Sequence, residues 1–223
     1  MTTSDKNRSI WRAYILFGGL VVLSLFLITI SGASESDVAE RAEFVRPLLP
    51  GSACPAFEAV AADGSLFEFD PAALDKPVVL IFYRGGWCPY CNKYLMRLRH
   101  AEAPLIELGY EILFLSADRY EKLAGFLEEK DLPYTVLSDN RLEVARKFGI
   151  AFHVHDELLQ RYMEWGHDLE EASGETHHML PVPATFIVDT DGIIQFQYVN
   201  PNYKVRLHPD VLLAAARAAL EDK

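Results

Sequence analysis

The chain has 223 residues and a formal net charge of −11, and half of its residues are hydrophobic. This length suits one domain with an additional segment, and the hydrophobic content is sufficient for a sizeable core. The acidic charge argues against a nucleic-acid-binding surface, because phosphate binding requires clustered positive charge.

The chain begins with a segment that suits a membrane. Residues 13–34 carry no charged side chain and are mostly apolar, which is long enough to cross the hydrocarbon layer as a helix. Cations precede this segment and acidic residues follow it, so the positive-inside rule places residues 35–223 outside the cytoplasm. The alternative is a cleaved signal peptide, with a site of small residues ending at Ala33. We predict that residues 1–34 are a membrane anchor or signal sequence, and the length of the apolar stretch favours the anchor.

Residues 35–46 are predicted to form a polar linker, and the pattern beyond them predicts one α/β domain over 47–223. Short apolar or alternating runs predict strands, and apolar residues at helical spacing predict helices between them. Alternating strands and helices, followed by a hairpin and a last helix, describe a central mixed sheet flanked by helices. The expected strands are 57–61, 66–69, 77–83, 111–116, 134–137, 186–188 and 193–198, and the expected helices are 92–108, 120–129, 142–148 and 211–220.

Residues 151–180 interrupt this alternation. They are acidic, lack a clear hydrophobic period and hold five of the seven histidines, so we predict an acidic insertion within the domain. The histidines lack the ligand spacing of a known metal site, and clustered surface histidines are the more common explanation, so we predict no bound metal. The five are His153, His155, His167, His177 and His178.

The chemistry is predicted to reside in Cys88 and Cys91, which follow an apolar strand and lie at the start of a helix. A helix N-terminus offers unpaired N–H groups and a partial positive charge, which can lower a cysteine pKa from ~8.5 into the range ~3.5–7.5. A zinc site would need further ligands, and no second Cys-x-x-Cys is present. A structural disulfide across so small a loop would constrain little of the unfolded chain. The spacing therefore indicates a redox dithiol, and the third cysteine fits a remaining thiol.

The segment 82–92, Phe-Tyr-Arg-Gly-Gly-Trp-Cys-Pro-Tyr-Cys-Asn, resembles the peroxiredoxin-like branch of the alkyl hydroperoxide reductase/thiol-specific antioxidant family. Three other stretches fit the same family, namely 49–57, 181–186 and 200–203. The resemblance covers residues 47–220. It implies a thioredoxin-like fold and thiol-dependent reduction of peroxides, with recharging by a thioredoxin-like donor and no bound cofactor.

The resemblance allows two registers that disagree on which cysteine attacks first. In the peroxiredoxin register Cys91 is the peroxidatic cysteine, Cys88 replaces the usual threonine, and the family's active-site arginine falls near Pro183. In the thioredoxin register Cys88 attacks, Cys91 resolves, and Val182-Pro183 corresponds to the cis-proline beside the dithiol. The strand 78–83 carries no carboxylate that could relay a proton. The position nearest the helix N-terminus favours Cys88.

The sequence also allows predictions for three residues outside the Cys88–Cys91 pair. Arg84 lies four residues before Cys88, where a guanidinium can stabilise a thiolate or hold a peroxide oxygen, and a solvated loop arginine is the alternative. Trp87 is expected to shape the access groove. Cys54 is expected to be a small buried hydrophobic residue, with a resolving role as the alternative.

These inferences predict a membrane-anchored thiol oxidoreductase that reduces hydroperoxides through Cys88 and Cys91. Its expected partners are a hydroperoxide or disulfide substrate, a thioredoxin-like electron donor, and the membrane through residues 13–34. Two other functions stay open. One is a disulfide reductase for exported proteins, and the other is a tethered interaction module whose dithiol senses redox state.

Overall fold

The computed structural model of the protein describes residues 38–130 and 135–221. The predicted membrane anchor over 1–34 lies outside these residues. Within the described part of the chain, no helix is both long enough and apolar enough to cross a bilayer. The remaining predictions on fold can be compared with the structure element by element.

Nine β-strands lie in the described part of the chain. They are β1 (Phe57–Ala61), β2 (Leu66–Phe69), β3 (Val78–Tyr83), β4 (Glu111–Ser116), β5 (Thr135–Ser138), β6 (Ala151–His153), β7 (Met179–Pro181), β8 (Ala184–Val188) and β9 (Ile194–Val199). Seven of them form a mixed sheet in the spatial order β2-β1-β5-β4-β3-β8-β9. Strands β3, β4 and β5 are parallel, and β8 runs antiparallel to β3. Strands β6 and β7 form a separate antiparallel pair.

Six α-helices accompany these strands in the same ranges. They are α1 (Pro89–Glu107), α2 (Tyr120–Lys130), α3 (Glu143–Lys147), α4 (Asp156–Glu164), α5 (Leu169–Ser173) and α6 (Pro209–Glu221), with 3-10 turns at Ala42–Phe44 and Pro71–Ala73. Every strand and helix expected from the hydrophobic pattern is present, so the prediction of a central mixed sheet flanked by helices is confirmed.

Strand β3 lies inside the sheet between β4 and β8, and all six of its side chains are buried in the two cores on either face. Its even-numbered side chains pack with Phe148 and Phe186 on one face of the sheet. Its odd-numbered side chains pack with Leu95 and Leu98 of α1 and with Leu212 of α6 on the other face. A strand covered on both faces needs a continuous apolar run, which is the pattern that β3 has.

Part of the predicted linker belongs to the folded domain. Ala39 forms a β-bridge with Phe152, and the Arg46 N–H donates to the Gly149 carbonyl at 3.0 Å. Gly149 has φ +67°, and a Cβ there would lie 2.0 Å from the Arg46 carbonyl oxygen, so this approach requires glycine. Residues 38–46 are therefore attached to the core, and the domain begins before residue 47.

The predicted insertion over 151–180 is also part of the core. It forms β6, α4, α5 and β7, and Tyr162, Leu169 and Leu180 are buried in the core that contains Phe148. Each of these four short elements contributes only a few buried residues, which is too little to produce a visible hydrophobic period. The segment that was predicted to be an acidic insertion within the domain therefore forms one wall of its core.

Leu180→Ala should destabilise the domain even though it lies in this segment. Leu180 is 2% exposed within the core, and truncating a buried leucine costs about 2–5 kcal/mol. Urea unfolding followed by circular dichroism measures the loss. Met163→Ala is the matched control, because Met163 is 53% exposed in the same segment and a surface change costs within about 0.5 kcal/mol. Equal losses for the two variants would contradict a core role for the segment.

Candidate active site

The two cysteines lie where β3 passes into α1 through a loop over residues 84–87. Cys88 is the N-cap of α1, with extended backbone at φ −86° and ψ 111°. Its carbonyl oxygen accepts hydrogen bonds from the N–H groups of Cys91 at 3.0 Å and Asn92 at 3.1 Å. Pro89 occupies the first helical position, where its missing N–H costs nothing. Cys88 therefore lies at the positive end of the helix dipole, and Cys91 lies about one turn further along.

A buried carboxylate fixes the loop before the cysteines. Asp118 follows β4, and its Oδ2 accepts a hydrogen bond from the Gly86 N–H at 2.6 Å. Gly85 has φ +141°, and a Cβ there would lie 2.4 Å from Trp87 Nε1 and 2.5 Å from Asp118 Oδ1. This carboxylate follows β4, whereas the sequence pattern was expected to show one within β3, so Asp118 was not predicted. The signal was available, since the carboxyl ends of neighbouring parallel strands meet at one edge of a sheet.

The two thiols differ in their affinity for a proton. Both are free, and each residue is 1% exposed. A hydrogen bond from the Cys91 thiol, together with the charges of Arg84 and Arg206, lowers the pKa of Cys88 to about 6. Burial and the adjacent Cys88 raise the pKa of Cys91 well above its ordinary value. At neutral pH the pair therefore carries its negative charge on Cys88 and its proton on Cys91.

Arg84 is a buried cation enclosed by aromatic rings. Its guanidinium carbon lies 4.2 Å from the ring centroid of Tyr203 and 5.1 Å from those of Trp87 and Tyr162. It also donates a hydrogen bond to the Tyr162 hydroxyl. Arg84 is 2% exposed, and no carboxylate in residues 38–130 or 135–221 forms an ion pair with it. The structure therefore contradicts the alternative of a solvated loop arginine and leaves the Cys88 thiolate as the neighbouring negative charge.

A second guanidinium, which the sequence analysis missed, reaches Cys91. The Arg206 Nη2 lies 3.3 Å from the Cys91 Sγ. Its Nη1 donates to the carbonyl oxygens of Tyr203 and Val205, the second at 3.1 Å. The peroxiredoxin register expected an arginine near Pro183, but this charge comes from the loop between β9 and α6. The signal in the sequence was the family-like stretch 200–203, which ends three residues before this arginine.

Pro183 lies beside the site but does not have the expected geometry. It lines a cavity together with Arg84 and Tyr162. Peptide bonds in the described residues are all trans, so the correspondence of Val182-Pro183 with a cis-proline is wrong. Between β7 and β8, the Val182 N–H donates to the Ile150 carbonyl at 2.8 Å.

Cys54 lies in the core on the other face of the sheet from the dithiol. Burial raises its pKa to about 12, and its N–H donates to the Gly192 carbonyl at 2.8 Å. These features agree with a small buried hydrophobic residue. A resolving role would require the thiol to cross the sheet.

The histidines of 151–180 have separate local roles. His155 caps α4, and the His167 ring packs against Trp87 with centroids 5.2 Å apart. His177 bonds a backbone carbonyl at 2.8 Å, and His178 bonds a glutamate of α5 at 2.7 Å. Within the described ranges, no three His, Cys, Asp or Glu side chains are grouped so as to hold a metal ion.

Comparison with known proteins relates this site to a class. The model of the AhpC/TSA family matches residues 50–197. Peroxiredoxin Bcp of Escherichia coli is 28% identical over 172 residues, covering 76% of this chain and 96% of that protein. Chloroplastic peroxiredoxin Q of Suaeda salsa is 28% identical over 176 residues, which cover 78% of this chain and 70% of that protein. The structure of peroxidoxin BcpB from Mycobacterium tuberculosis has a TM-score of 0.59 at 24% identity, covering 76% of this chain and 96% of that one.

These findings define a peroxiredoxin-like, thiol-dependent oxidoreductase with a thioredoxin-like α/β fold. The family model spans more than half of the chain and includes the whole segment from β3 through the two cysteines. The chain therefore belongs to the AhpC/TSA family.

The pH dependence of Cys88 alkylation tests the charge arrangement. Because the thiolate is the nucleophile, iodoacetamide labelling of Cys88 should rise through a midpoint at about pH 6, while Cys91 stays slow. Arg84→Gln removes the guanidinium and Tyr162→Phe removes its hydrogen bond, so both should move the midpoint upward. Arg217→Gln, on the exposed side of α6, should leave it unchanged. An ordinary thiol midpoint for Cys88 in the wild type would refute the assignment.

Proposed function

We propose that the protein reduces hydroperoxides with Cys88 as the attacking thiolate and Cys91 as the resolving thiol. A dithiol protein of the thioredoxin type then reduces the resulting disulfide. The observation that carries the proposal is the asymmetry of the pair, because the pKa of Cys88 is lowered to about 6 and that of Cys91 is raised well above its ordinary value. The register that names Cys88 is therefore the one that the electrostatics of the site support.

In the first step the Cys88 thiolate attacks one oxygen of the hydroperoxide. The O–O bond breaks, an S–O bond forms, and the leaving alkoxide takes a proton and departs as an alcohol or water. Arg84 stabilises the negative charge that develops on the leaving oxygen. Its Nε is buried and has no hydrogen-bond partner in the described residues, so one donor is available for this oxygen.

In the second step the Cys91 thiol attacks the sulfur of the Cys88 sulfenic acid. The S–O bond breaks, a disulfide forms, and the thiol proton leaves with the hydroxide as water. Because burial holds Cys91 protonated, it needs help to become a nucleophile. The Arg206 guanidinium, 3.3 Å from its sulfur, stabilises the negative charge that forms as the proton departs.

Mass-spectrometric mapping of single variants tests the order of attack. With one equivalent of hydroperoxide, Cys91→Ser should accumulate a sulfenic acid on Cys88, since the thiolate is retained and the resolving thiol is lost. Cys88→Ser should lose turnover. The wild type should give a Cys88–Cys91 disulfide without Cys54, and Cys54→Ser is the matched control that keeps turnover. A sulfenic acid on Cys91 in Cys88→Ser, formed at the wild-type rate, would support the peroxiredoxin register instead.

We further propose that the domain is held outside the cytoplasm by residues 13–34. The support is the uncharged apolar stretch with cations on its N-terminal side. This location would give the dithiol access to peroxides and disulfides of that compartment.

Topology is tested by protease treatment of cells whose outer barrier has been opened. Residues 35–223 should then be cut while a cytoplasmic marker stays intact. N-terminal sequencing of the mature protein distinguishes a cleaved signal peptide from a membrane anchor. A mature start at Ser34 means that the segment is cleaved, and a retained segment means that it is an anchor. Cleavage of the domain only after lysis of the inner membrane would place it in the cytoplasm and refute the proposal.

A further inference from the structure

A cavity of about 850 Å³ is lined in part by Arg84 and Tyr162, and it has an unusual charge for this protein. Four cationic residues line it, namely Arg41, Arg84, Arg161 and Lys204, against a single carboxylate, Glu43. Residues 35–223 as a whole carry a net charge of −13. The cavity therefore forms a local region of positive potential on an acidic body, which attracts anions.

Arg84 has the Cys88 thiolate as its neighbouring negative charge, whereas the other three cations of this cavity are not neutralised by a carboxylate of the described residues. No carboxylate in the described ranges forms an ion pair with Arg41, Arg161 or Lys204, and Glu43 also lacks such a partner. The Lys204 ammonium instead lies 5.8 Å from the ring centroids of both Tyr90 and Tyr203. Their charge is therefore available to a ligand.

The cavity and the dithiol share two side chains. Arg84 and Tyr162 line the cavity, and both interact electrostatically with Cys88. Both sulfur-bearing residues are only 1% exposed, so a slender molecule reaches them more easily than a folded partner does. The cavity is also larger than a peroxide group requires, which leaves room for a peptide-sized molecule beside Arg84 and Tyr162.

We propose that this cavity binds a small thiol, or its disulfide, that carries more carboxylates than ammonium groups. The cations hold the carboxylates, and Glu43 accepts the ammonium group. The inference rests on the proposed function in taking Cys88 as the sulfur that exchanges. It adds a small-molecule reductant that reaches the dithiol without a protein partner.

The exchange balances as two thiol–disulfide steps. The ligand thiolate attacks the Cys88 sulfur of the Cys88–Cys91 disulfide, the S–S bond breaks, and Cys91 leaves as a thiolate beside Arg206 and takes up a proton. A second ligand thiolate then attacks the mixed disulfide and releases the oxidised ligand and the Cys88 thiolate. Two ligand thiols are oxidised for each protein disulfide that is reduced.

The test uses the full domain carrying Cys91→Ser, without peroxide. Oxidised glutathione, which carries four carboxylates and two ammonium groups, is compared with the neutral 2-hydroxyethyl disulfide, and formation of the Cys88 mixed disulfide is followed by intact-protein mass spectrometry. The ratio of the two rates should exceed the same ratio for free 2-mercaptoethanol. Arg161→Gln and Lys204→Gln should each lower the ratio by a factor of roughly three, and added salt should lower it further. Arg217→Gln on α6 should leave it unchanged.

Two results would overturn the inference. One is a ratio that responds neither to the cavity variants nor to salt. The other is an effect of those variants only on the preference for a carboxylate-bearing hydroperoxide over its ester, which would assign the cavity to the oxidant. Peroxide consumption by the wild type with dithiothreitol is measured separately. Its absence would refute the proposed peroxidase cycle while leaving the exchange result interpretable.

Discussion

The charge of Arg84 beside the thiol of Cys88 is the interaction on which the site depends. A buried guanidinium is costly unless an opposite charge and suitable dipoles surround it. The aromatic rings around it supply their negative faces, worth about 0.5–2 kcal/mol for each good contact, and the Cys88 thiolate supplies the opposite charge. The charge interaction that makes the cation tolerable in the interior therefore adds to the hydrogen bond from Cys91 in lowering the pKa of Cys88.

This arrangement requires elements that are distant along the chain. Arg84 follows β3, Tyr162 belongs to α4, and Tyr203 lies in the loop after β9. The segment over 151–180 is consequently both a wall of the core and a support of the reacting group. Its packing around Leu169 and Leu180 holds α4 at the distance from which the Tyr162 hydroxyl meets the guanidinium. The stability of the core and the position of Arg84 therefore depend on the same segment, residues 151–180.

The division of roles between the cysteines comes from depth and from the second guanidinium. Cys88 caps α1, whereas Cys91 is within the helix and close to Arg206. A thiol that burial keeps protonated is protected from direct oxidation, since the thiolate is the reactive form. Two guanidinium groups, those of Arg84 and Arg206, therefore interact with the dithiol from outside the position near Pro183.

Local patterns in the sequence are sufficient to predict the sheet, the helices and the candidate dithiol. A continuous apolar run predicts β3, and two cysteines at the next helix start indicate thiol chemistry. The charges that surround these cysteines depend instead on tertiary packing. Asp118, Tyr162 and Arg206 are separated from the cysteines by tens of residues along the chain, and no local spacing records that packing brings them together. Hydrophobic periodicity specifies which face of an element is buried, whereas the partners of a buried charge are set by how the elements cross.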